Sequence, residues 1–137
     1  MIAQADAELL EAMATRWSAA AADWDPGTLA SLYSADALLF GGREGHAVGR
    51  EAIEAYFISY RGVILSAALE LVEQQILVVD DRCFFAQGHA EFAFTLAGGN
   101  RTRSRLRTSL LIVRDCGGLV RAHHFSPVPQ APPLGKG

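Results

Sequence analysis

From residue 64 to residue 129 the sequence keeps the two-residue period of β-strands. Three turn-forming clusters interrupt it: Asp80-Asp81, Gly98-Gly99-Asn100 and Asp115-Cys116-Gly117-Gly118. Clusters of Asp, Asn and Gly between such runs mark chain reversals. Four long antiparallel strands in a meander are therefore expected, over residues 65–79, 82–96, 101–114 and 119–129. A sheet this long constrains everything upstream, because one of its faces has to be covered.

Turn length decides which face each side chain takes, and a one-residue slip reverses a whole strand. A four-residue loop after Arg114 sets Leu110 opposite His123, Ser109 opposite His124 and Arg107 opposite Ser126. Pairing Val79 with Arg82 sets Leu69 opposite Phe92 and Leu71 opposite Ala90. A four-residue turn over residues 97–100 then sets Phe92 opposite Arg105 and Ala90 opposite Arg107. One face so assembled carries Leu65, Leu69, Leu71, Gly88, Ala90, Phe92, Phe94, Arg105, Arg107, Ser109, Leu111, His124 and Ser126. The other carries Glu70, Val72, His89, Thr108, Leu110, Ile112 and His123. The first face, aromatic with polar groups at one end, is expected inside. The second is too apolar to be left wet and suits a homodimer through the outer sheet face.

Upstream, residues 4–24 place Leu9, Leu10, Met13, Trp17, Ala20, Ala21 and Trp24 on one helical stripe. Asp25-Pro26-Gly27 ends that helix, and Asp25 with Pro26 opens a short second one with Leu29, Leu32 and Tyr33 inward. A short strand over residues 37–40 stops at Gly41-Gly42 and returns over residues 46–48. A third helix runs from Gly49 or Arg50 to Tyr60, with Ile53, Tyr56, Phe57 and Tyr60 on one side. Helices first and sheet afterwards make an α+β fold. Residues 1–129 form one domain, and residues 130–137, rich in Pro and Gly, a mobile tail.

The 137 residues carry a net charge of -3, so no overall basic field invites nucleic acid. The local run Arg101, Arg103, Arg105, Arg107, Arg114 is the one basic concentration, a modest patch only. No apolar stretch approaches bilayer length and no signal pattern opens the chain, which implies a cytoplasmic protein without a membrane partner. Cys83 and Cys116 show neither metal spacing nor a disulfide framework, and no metal or cofactor is expected.

The order of elements, the stretch LASLYSADALLF followed by HAVGREAIEAYF, and the ending RDCGGLVRAHHFSPVP resemble the nuclear-transport-factor-2-like superfamily. Within it the ending is similar to SnoaL-like proteins and to the association domain of calcium/calmodulin-dependent kinase II. The resemblance implies a cone-shaped, curved antiparallel sheet covered by three helices. Gly49, Ala52 and Ile53 match the helix opening, and His124 and Ser126 the H-x-S of the ending. A base carboxylate after the first strand, as in ketosteroid isomerase, is replaced here by Phe40-Gly41-Gly42.

Two functions fit these residues. In one, the cone binds an apolar, ring-sized ligand with an oxyanion or carboxylate end and turns it over as an isomerase, cyclase or dehydratase. His124 is then the acid or base, Arg107 the anion partner and Tyr33 or Tyr56 a hydrogen-bond donor. Trp17, Phe40, Tyr56, Ala90, Phe92 and Phe94 would wall the site, with Arg105 and Ser109 at its polar end. In the other, the domain is a non-catalytic association module. The identity of the ligand is not written in the sequence.

Overall fold

The computed structural model describes residues 2–137. Helix α1 (Ile2–Ala21) buries Leu10, Met13, Ala14, Trp17, Ala20 and Ala21, at the three- and four-residue steps of an amphipathic helix. Its start is tied to the far end of the chain. Asp6, almost wholly buried, accepts two hydrogen bonds from the Arg114 guanidinium, at 2.9 and 2.8 Å. About three turns further on, Arg16 donates to the carbonyls of Gly117 and Gly118.

Trp24, at φ 46°, turns the chain, and Asp25 accepts from the Thr28 N–H to cap helix α2 (Pro26–Ser31), with Pro26 at its first position. Strand β1 (Tyr33–Phe40) is longer than expected and takes in Tyr33, and β2 (Ala47–Val48) returns beside it. Helix α3 (Arg50–Ile58) buries Ile53 and Phe57, and Tyr60 lies in the turn beyond it. The meander follows: β3 (Ile64–Val78), β4 (Cys83–Leu96), β5 (Arg101–Val113) and β6 (Leu119–Pro127).

All six strands form one open mixed sheet in the order β2-β1-β6-β5-β4-β3, antiparallel except where β1 runs parallel to β6. The α+β reading holds, with the helices on the concave side of the curved sheet around a core of Trp17, Trp24, Tyr33, Phe57, Phe84 and Phe92.

The face assignment of the last two strands is corrected. Between β4 and β5 the pairs are Phe92 with Ser104 and Ala90 with Leu106, one residue from expectation. The cause is a tighter turn. Leu96 N–H bonds to Asn100 C=O at 2.8 Å around only Ala97, Gly98 and Gly99, and both glycines take positive φ that most side chains disfavour. Pairing of β5 with β6 agrees with expectation for Leu110 with His123, Ser109 with His124 and Arg107 with Ser126, so the slip carries through both strands. Leu106, Thr108, Leu110, Ile112 and His123 point inward, whereas Arg105, Arg107, Ser109, Leu111, His124 and Ser126 take the outer face.

Two irregularities in β3 matter as well. A register shift between Ile64 and Ser66 leaves Leu65 48 % exposed rather than inward. A second one between Val72 and Gln75, with Glu73 at φ 54°, folds the strand over Gly88. A Cβ at Gly88 would stand 2.8 Å from Gln74 Nε2 and still closer to the Glu73 carbonyl, so this bulge fills the space beside Gly88.

Candidate ligand cavity

Inside the cone a cavity of about 190 Å³ is walled by Trp17, Trp24, Tyr56, Phe57, Tyr60, Ile64, Phe92, Phe94, Ser104, Leu106 and Phe125, with Gly42 at its mouth. Trp17 sets its back wall. The indole meets Phe92, Phe57 and Trp24 edge-on, at centroid distances of 5.5, 6.4 and 6.5 Å. Trp24 is held by donation from its Nε1 to the Phe57 carbonyl at 3.0 Å. The Trp17 indole Nε1, equally buried, has no hydrogen-bond partner.

One layer of rings below the cavity lies a buried pair. Tyr33 Oη and His123 Nδ1 are 2.9 Å apart, and Phe57 and Phe125 pack on them at 5.9 and 5.0 Å between centroids. Burial pushes the His123 imidazole down to about 3, with the neighbouring His124 charge adding to the effect, so the ring is neutral near pH 7. Burial likewise raises the Tyr33 phenol well above its ordinary value. The Trp17 indole lies near enough to oppose that rise, though not in hydrogen-bond geometry. His123 Nε2 and Thr108 Oγ1 are also buried without partners.

At the mouth, Tyr56 Oη accepts from the Gly42 N–H at 2.9 Å, and burial raises its pKa against the pull of that bond. A Cβ on Gly41 would overlap the Tyr56 hydroxyl, and one on Gly42 would stand 2.7 Å from Tyr60 Oη. The two glycines thus let the loop after β1 lie directly on two aromatic rings.

Of the residues expected to form the site, Trp17, Tyr56, Phe92 and Phe94 line the cavity, while Tyr33 and Ala90 are buried beneath it. Phe40 does not wall it. It lies on the outer face, 42 % exposed, stacked on His46 at 4.0 Å. His124, Arg107, Arg105 and Ser109 share that outer face because of the shorter turn before β5. There Arg105 pairs with Glu73 and Glu91, and Ser109 Oγ accepts from Gln87 Nε2. Sequence reasoning placed His123 outward and overlooked Ser104, Leu106 and Phe125. A three-residue loop over 97–99 in place of a four-residue one turns them inward, and the Gly98-Gly99 pair fits either length. Among the described residues no group of three or more His, Cys, Asp or Glu is arranged to hold a metal.

This architecture has many counterparts. The SnoaL-like domain profile matches residues 10–130, and the chain belongs to the SnoaL-like family. Similar solved structures include one named for the calcium/calmodulin-dependent protein kinase II association domain from Xanthomonas campestris. It has a TM-score of 0.79 and 24% identity, over 89% of this chain and 87% of that one. A nuclear transport factor 2-like protein from Salmonella enterica follows at 0.76 and 19%, over 99% and 100% of the two chains. One named for scytalone dehydratase from Novosphingobium aromaticivorans aligns at 0.73 and 15%, over 98% and 96%. At these identities the likeness is one of fold. No curated protein matches the sequence significantly.

Proposed function

We propose that this protein binds a neutral, apolar ligand of one or two fused rings in the cone. The observation that carries the reading is an aromatic cavity with no charged side chain in its lining. An apolar cavity of about 150 Å³ in another protein holds benzene, so 190 Å³ open at one side suits a ligand of this size.

An anionic ligand end is not favoured, since Arg105 and Arg107 belong to the outer face. Acid–base turnover is not favoured either. A general acid or base works best with a pKa near the operating pH, and burial moves His123 and Tyr33 away from it in opposite directions. Binding is therefore the function we assign. The unpaired thiols Cys83 and Cys116 suit a reducing compartment such as the cytoplasm.

A thermal-shift comparison tests this. 2-Naphthol near 100 times its dissociation constant is expected to add about 2.7 kcal/mol, a rise of several degrees, whereas 2-naphthoate is expected to add far less. Equal stabilisation by the carboxylate, or none by any neutral ring compound, would refute the assignment.

The outer face supports a second role, homodimerisation. Register places Leu77, Phe85, Leu111, Ala122 and Leu38 side by side in one row across five strands. Leu77 and Leu38 in that row are 66 % and 41 % exposed. A continuous exposed apolar row crossing a sheet fits a subunit interface. In sedimentation equilibrium the protein is expected to be a dimer and Leu111→Glu a monomer. A wild-type monomer at high micromolar concentration would remove this role.

A further inference from the structure

We infer that residues 41–46 form the gate of the interior cavity and that Arg43 is its latch, an inference that rests on the ligand-binding reading above. The loop joins β1 to β2 and crosses the cavity mouth at Gly42, Tyr56 and Tyr60. Its ends are fixed, since Leu38 and Leu39 pair with Val48 and Ala47. Between those ends it makes few bonds. The Gly42 N–H donates to Tyr56 Oη, and every other described hydrogen bond of the segment comes from Arg43.

That one side chain holds the loop to the turn after α3 in three ways. Its Nη2 donates to the Ser59 carbonyl at 3.0 Å, its Nε donates to Ser59 Oγ at 3.2 Å, and its guanidinium carbon lies 4.2 Å from the centre of the Tyr60 ring. The Ser59 hydroxyl in turn donates to the Tyr56 carbonyl at 2.6 Å. Arg43 thus stacks on Tyr60, whose ring lines the cavity, and reaches Tyr56 through Ser59. Glycines at 41, 42 and 45 leave the loop's backbone unhindered, and a Cβ at Gly45 would meet nothing within 4 Å. Bulky side chains at 41 and 42 would prop the mouth apart, so the two glycines permit closure while Arg43 maintains it.

The latch acts on the closed form whether or not the cavity is filled. Its loss therefore speeds binding and release together and leaves the dissociation constant unchanged. Both tryptophans of the chain, Trp17 and Trp24, line the cavity, so their fluorescence reports on its opening. Acrylamide, a small neutral quencher, tests the gate without any ligand. Arg43→Ala is expected to raise the acrylamide quenching constant several-fold, with the melting temperature lowered by only a few degrees and the protein fully folded at the assay temperature. Stopped-flow exchange of 2-naphthol is expected to quicken by about tenfold in both directions. Arg43→Lys, which keeps the charge but not the planar fork, is expected to lie between. Quenching in Arg43→Ala equal to wild type would overturn the latch whatever the ligand does. A rise in quenching without 2-naphthol binding would uphold the gate and count instead against the ligand-binding reading.

Discussion

Stability is expected to fall as the pH drops below about 6.5, at a slope of about 1 kcal/mol per pH unit, and this slope is expected to vanish in His123→Asn. The sign follows from burial. In the folded protein the His123 imidazole is held down to about 3, whereas in the unfolded chain it titrates near its ordinary 6.5. Above 6.5 both states carry a neutral ring and the group has no pH-dependent effect. Below it the unfolded state gains a proton that the folded state refuses, so unfolding becomes easier until the folded pKa is reached. Asp25, Asp36 and Asp80 also lose stabilising hydrogen bonds in acid. Their donors, first of all the Thr28 hydroxyl, the Ser34 hydroxyl and the Arg82 N–H, hold those carboxyls below the usual range. They contribute only below about pH 4, which leaves the interval above it to the histidine. Urea titrations at pH 7, 6, 5 and 4 measure the slope directly. A wild-type slope identical to that of His123→Asn would mean that the imidazole is solvated, and the buried Tyr33 pair would have to be abandoned.

Trp17→Ala is expected to cost about 3–5 kcal/mol, the usual range for deleting a large aromatic from a core. Three aromatic neighbours lose their edge contacts at once, and the hole merges with the cavity already beside it. The surroundings cannot collapse easily. Trp24 is fixed by its bond to Phe57, and Phe92 lies in the middle of β4. In equilibrium denaturation the midpoint should fall while the slope against urea stays constant, since a local hole changes stability without changing the surface exposed. Trp17→Phe should retain much of the packing while reshaping the cavity wall. It is then the variant for separating binding from stability, and a loss below about 1 kcal/mol in Trp17→Ala would place the indole outside the core.

The residues of the helices were legible because periodicity there needs no partner. The stripe from Leu10 to Trp24, the Asp25 cap and the Pro26 position all follow from local rules, and the structure agrees with them. The meander was legible for the same reason. Faces were a different matter, because they depend on the sum of turn lengths along the chain. Leu69 was correctly set opposite Phe92, and Leu110 opposite His123. Between those two correct hairpins a loop one residue shorter than expected exchanged Arg107 and His124 for Leu106 and His123. Both glycines of that loop fit either length, so composition alone could not decide. The parallel seating of β1 against β6 is a long-range pairing with no local signature. It carries Phe40 to the outer face beside His124.

The most direct test of a neutral-ligand cavity is a titration of 15N-labelled protein with 2-naphthol, following the two indole N–H resonances. Both indole rings line the cavity. The account predicts that both signals shift to saturation as a ring compound packs against them, and that 2-naphthoate leaves both in place. Indole signals unmoved by 2-naphthol, or moved equally by the carboxylate, would contradict it.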